Sequence, residues 1–133
     1  MNASHNNDKR EDGQAMVEFA MVIPILLMLV LGIIQFGILF NHYITLTDAT
    51  RTGARKAAVS RFTGDKGIAA EAAVRAAASN LTATDLKVSV TSSNWTVPGS
   101  DVVVTATYPY NLNILGWVIQ SGNLTSTTKE RLE

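Results

Sequence analysis

The sequence contains no cysteine. That excludes a disulfide framework and a thiolate metal site. Histidine is scarce as well, and His5 and His42 stand too far apart for a zinc cluster. Excess charge is missing. The 11 basic and 11 acidic residues balance to a formal net charge of zero, so no basic surface marks a nucleic-acid binder. There is no Gly-rich phosphate loop, no paired histidine, and no serine with a base at a recognisable spacing. No enzyme class and no cofactor is therefore indicated.

Charge is also missing locally. Residues 19–40 contain no Asp, Glu, Lys, Arg or His. As a helix this run is roughly 33 Å long at about 1.5 Å per residue, enough for a hydrocarbon core of about 30 Å. It is apolar all round, unlike the amphipathic helix of a soluble core. A cleaved secretory signal has a shorter apolar stretch and a small-x-small site after it. This run is longer, and Phe36, Gly37, Ile38, Leu39 and Phe40 close it. The spacing thus predicts a retained membrane helix. Pro24 removes one backbone donor inside it and is expected to bend it or loosen a turn. Gly32 and Gly37 offer close approach to another helix, although Gly is common in membrane helices anyway.

The flanks differ. Residues 1–13 are polar and aperiodic and read as a disordered leader. Beyond the run, Leu39, Tyr43, Leu46, Thr50, Gly53 and Ala57 recur in helical steps and predict one face that packs on another helix or on the chain's own domain. Gly53 is the closest-approach position on that face. Residues 62–67 read as a break. Residues 68–81 are alanine-rich, with Glu71 four positions before Arg75, and predict a short second helix. The period then changes to two. Leu86, Val88 and Val90 alternate with polar residues, and Val102, Val104, Ala106 and Tyr108 do so after Pro98 and Gly99. Two half-buried strands joined by a turn are expected, with a weaker third at 124–132. The apolar stretch 114–119 is expected to plug the small core, with contact to a membrane or partner as the alternative.

One carboxylate stands out. Glu18 lies just before the apolar run. Read alone, it sits at headgroup level, favoured by the helix N-terminal dipole. Charge counting alone would place the C-terminal side in the cytoplasm, because Arg51, Arg55, Lys56 and Arg61 follow the helix.

The string GQAMVEFA at residues 13–20 resembles the processing site of type IV pilin-like proteins. There a membrane peptidase cuts after a Gly, and a Glu stands fifth in the mature chain. Together with Pro24, LGIIQFG at 31–37 and ATRTGARKAA at 49–58, the chain looks like the TadE-like family of tight-adherence, Flp-type pilus systems. The tail, with TATYPY at 105–110, matches more weakly. The chain departs from the family at Gln35, where an acidic residue is frequent, and at Ile38.

The resemblance implies cleavage between Gly13 and Gln14, and a role for Glu18 and Phe19 in processing and subunit assembly. Pro24 would be the helix bend, and Gly32, Gly37 and Gly53 would be packing positions. It implies a pseudopilin or minor pilin supporting pilus assembly, adherence or secretion, with an uncleaved membrane scaffold as the alternative. The implied partners are a prepilin peptidase, other pilin or pseudopilin subunits, an inner-membrane pilus assembly platform and the lipid bilayer. The implied topology is N-terminus in and C-terminal domain out across a bacterial cytoplasmic membrane. The expected fold class is α+β. It comprises a leader at 1–13, a long helix at 14–61 with its transmembrane part at 19–40, and a small extracytoplasmic domain at 62–133. That domain has one short helix and an antiparallel sheet of about three strands.

Overall fold

The computed structural model describes residues 4–60, 67–114 and 116–133. Most of the expected break, and Arg61 within the basic flank, lie outside the described residues. The chain is α+β. A long helix α1 (Ser4–Ala58) leads to a short helix α2 (Ile68–Ala77), then to strands β1 (Lys87–Ser92), β2 (Asp101–Ile114) and β3 (Trp117–Arg131). The strands form an antiparallel meander in the order β1-β2-β3.

α1 starts at Ser4, earlier than the expected start at Gln14, so the polar segment 4–13 belongs to the same helix. Extending a helix that already exists fixes one residue per hydrogen bond and avoids a new nucleus. The helix continues across Pro24.

Its C-terminal part has a sharply defined inner face. Leu46, Ala49, Thr50, Gly53, Ala54 and Ala57 are buried, at the three- and four-residue steps of one helical stripe. Beyond Leu46 the residues are small, which lets α1 lie close to its neighbours. Gly53 meets α2 directly. A Cβ built there would collide with the Val74 Cγ2 methyl and would stand 3.2 Å from the Ala70 carbonyl oxygen. The expected face packs on the chain's own domain, except that Tyr43 turns out to solvent.

α2 contributes Ala70 and Val74 to the core. It stops at Ala77, short of residue 81, because Ala78 leaves helical geometry while its N–H still bonds to the Val74 carbonyl. Arg75 ties the end of α2 to the segment that leads into β1. It pairs with Glu71 at 2.9 Å and donates to the carbonyls of Ala83 and Leu86, each at 3.2 Å.

The sheet packs one face on α1. Val102, Val104 and Ala106 are fully buried on β2, with Val88 and Val90 of β1 packed against them. The register places Val88 opposite Ala106 and Val90 opposite Val104. Period-two alternation therefore sorts these side chains to the face toward the helix. The β1–β2 connection is braced by Asn94, whose Oδ1 accepts from the Thr96 N–H at 3.0 Å. Gly99 takes φ of 78° there, a conformation that favours glycine. At the far edge Leu132 is buried, and its N–H and C=O bond to Ser100 and Gly99.

A further expectation is corrected. The apolar stretch 114–119 does not plug the core. β2 and β3 run on as a two-stranded arm past the last β1 partner, Thr107. The extension, residues 108–114, is roughly 20 Å long at about 3.3 Å per residue. Trp117 is 81% exposed at its tip. The core is already closed by the valines of β1 and β2, so an arm longer than the domain carries its apolar end away from it. Leu115 lies outside the described residues.

Candidate processing and anchoring site

The motif residues sit on one uninterrupted helix. Residues 13–30 are exposed on every side, and the apolar stretch of α1 is long enough to cross a membrane. Met16, Phe19 and Met21 all project outward. Apolar surface of this extent is stable only against lipid or other protein, which is compatible with single-pass membrane anchoring.

Gly13 has open space around its Cα. One residue on, the Gln14 Nε2 donates to Glu18 Oε1 at 3.0 Å. The pair is separated by four residues, one helical turn, so the two side chains lie on one face. The carboxylate thus finds a donor on its own helix at the position where an amine would stand if the chain began at Gln14.

The glycines divide into two kinds. Gly32 and Gly37 have nothing within 4 Å of an added Cβ, so the chain itself leaves both flat spots open. At Gly53 the corresponding space is filled by α2.

Three features carry no motif, and no local signal in the sequence pairs their residues. The Gln35 Nε2 donates to the Asn113 carbonyl at 2.8 Å, tying the arm to α1. The rings of His42 and Tyr108 meet edge-on with centroids 5.5 Å apart. Thr50, Ser126 and Thr128 form a hydroxyl cluster between α1 and β3, with contacts of 3.0 and 3.1 Å. Gln35 was the detectable one: it is the only amide side chain between residues 19 and 40, and a lone amide among apolar residues calls for a partner. Among the described residues no cluster of three or more His, Cys, Asp or Glu is placed to hold a metal ion.

The family model described as TadE-like protein matches residues 13–55. Residues 13–55 are TadE-like. No curated protein and no solved structure matches the chain. The TadE-like segment begins at Gly13 and takes in Glu18, the uncharged run and most of the small-residue face that packs on the sheet. α2 and all three strands lie outside it. The match suggests a pilus-associated protein that interacts with other pilus components.

Proposed function

We propose that this chain is a pseudopilin or minor pilin of a tight-adherence, Flp-type pilus, cut between Gly13 and Gln14. The observation that carries this reading is the combination of Gly13 and Glu18 with a helix exposed on all sides from residue 13 to residue 30. Residues 1–13 act as a cytoplasmic leader, and the domain after α1 lies on the other side of the bacterial cytoplasmic membrane. A prepilin peptidase needs the backbone out of the helix at the cut. Gly13 lowers that barrier, because glycine disfavours helix by roughly 1 kcal/mol relative to alanine, and it presents no side chain to obstruct the peptidase. Cleavage would give Gln14 a free, positively charged amine one turn from Glu18. In a poorly hydrated site such a pair attracts more strongly than in bulk water. The partner amine can be the chain's own or a neighbouring subunit's. Gly32 and Gly37 are the open positions where neighbouring helices approach, and the assembly platform in the same membrane is the partner during assembly.

The experiment is an intact-mass measurement on protein extracted from membranes, with and without the peptidase. The expected mature mass lacks residues 1–13. A bulky residue at Gly13 should leave the full-length chain. Glu18→Ala should still be cut but should fail to join its partners, and normal assembly of that variant would refute the pairing. One observation favours a second reading. α1 is continuous from Ser4 through Gly13, which suits an uncleaved scaffold contacting the machinery, and a mass that retains residues 1–13 would select it.

A further inference from the structure

We propose that the tip of the β2–β3 arm is a second membrane contact, entering the lipid interface beside α1 on the side of the C-terminal domain. The inference rests on the reading of α1 as a membrane anchor and adds a contact made by the sheet. Its first support is position. The tip does not hang free in solvent. Ile114, Trp117 and Ile119 line a notch of about 300 Å³ together with Met28, which lies within the uncharged run. The Gln35–Asn113 hydrogen bond fixes the arm along the helix just above that point. The only amide side chain of the run therefore faces the arm and not lipid.

The second support is composition. No Asp, Glu, Lys, Arg or His occurs between Asp101 and Lys129, so the whole arm reaches the membrane without carrying a charge toward it. Its end is apolar. Trp117, Val118 and Ile119 are each more than 60% exposed. Asn113 and Gln120 follow directly behind them. The register shifts between Leu112 and Asn113, where Gln120 pairs with Leu112 and Val118 with Asn113. Ile119 is therefore the extra residue of a bulge, a device that re-aims a side chain.

The backbone sets the depth. Beyond Thr107 the outer edges of the arm have no further strand beside them among the described residues, and open sheet edges do not occur in the hydrocarbon region. Insertion is therefore shallow and limited to the tip side chains. Tryptophan suits that layer, with an apolar ring and a polar N–H. The membrane surface then meets the arm side of α1 between Met28 and Gln35. A tilted helix leaves its opposite side, with Ile33, Phe36 and Phe40, in lipid further along. Measured from Gln14 to Gly32 the crossing is roughly 27 Å at about 1.5 Å per residue, still close to a hydrocarbon thickness of about 30 Å.

The chain has no native cysteine, so single nitroxide labels can be placed cleanly. Val118→Cys reports the tip, Thr125→Cys a higher point on β3, and Ile23→Cys the anchor. The full-length protein is reconstituted in phosphatidylcholine–phosphatidylglycerol vesicles, and collision rates with oxygen and with a nickel chelate are compared. The expected oxygen-to-nickel ratio at Val118→Cys is several-fold above that at Thr125→Cys and shifted toward that at Ile23→Cys. A water-like ratio at Val118→Cys with a lipid-like ratio at Ile23→Cys overturns the proposal and leaves the anchor standing. Low collision with both reagents at Val118→Cys also overturns it, because the tip is then covered by protein, as in contact with a second copy. A water-like ratio at Ile23→Cys overturns the anchor reading and the proposal together.

Discussion

Gly53 and Val74 define the tightest contact between the two helices. Any side chain at 53 must displace the Val74 methyl or the Ala70 carbonyl, and backbone gives way less readily than a side-chain end. Overpacking of this kind costs about 1–3 kcal/mol and sometimes more. Gly53→Leu should therefore lower the steady-state amount of protein and its resistance to protease in detergent. Gly53→Ala should be milder, and adding Val74→Ala should restore part of the loss. Neighbouring residues of β2 provide a second contrast. Val104 is fully buried, whereas the Thr105 hydroxyl lies 3.2 Å from that of Thr127 on the outer face. An uncompensated charge at position 104 should cost about 3 kcal/mol or more. Val104→Asp should abolish the cooperative thermal transition, and Thr105→Asp should shift it little. Equal shifts would show that the register is wrong.

At the scale of elements, the β2–β3 hairpin has two parts with different tasks. The lower part is the sheet that α1 covers, and it holds Val102, Val104, Ala106 and Ser126 among the buried residues. The described residues of the upper part, beyond Tyr108 and Leu124, contribute nothing to the buried core. Tyr110 lies across Gly122, with ring atoms 3.0 Å from where a Cβ would stand. The aromatic ring thus covers the glycine from the opposite strand. Removing residues 111–121 and joining Tyr110 to Gly122 with an Asn-Gly turn keeps hairpin geometry. The shortened protein should unfold within about 5 °C of the parent, the scale of a change of about 1 kcal/mol in a domain this size. A much larger drop in the thermal scan would mean that the arm stabilises the domain.

For the whole molecule, the proposed pilin role places the domain on one particular side of the membrane. Arg51, Arg55 and Lys56 are exposed on the outer side of α1, away from the face that packs on the sheet. Charge bias alone pulls them toward the cytoplasm. The proposed pilin role requires the opposite, with the domain translocated despite them. A single Arg55→Cys, in a chain with no other cysteine, should react with a membrane-impermeant thiol reagent added to spheroplasts. Labelling only after the membrane is broken would place the domain inside and remove the pilin reading.

The sequence by itself determined what depends on short-range chemistry. An uncharged run of membrane length is legible because burying charge in lipid is costly at every position of the run. The valines of β1 and β2 are legible because the pleat alternates sides at every residue. Gly53 is legible as a close approach because it stands on a stripe of shrinking side chains. The resemblance to a processing motif was legible from Gly13, Glu18 and Phe19 together with the uncharged run and the small-residue segment at 49–58. What only the tertiary structure decided depends on distance between parts far apart in the chain. Residues 114–119 read as core filler, since an apolar run carries no record of how far its strands extend. The arm outruns the domain, and its tip lines a notch together with Met28. Gln35 and Asn113, 78 residues apart, have no local signal that pairs them, because a hydrogen bond between a helix side chain and a strand carbonyl is set by how the two elements lie together.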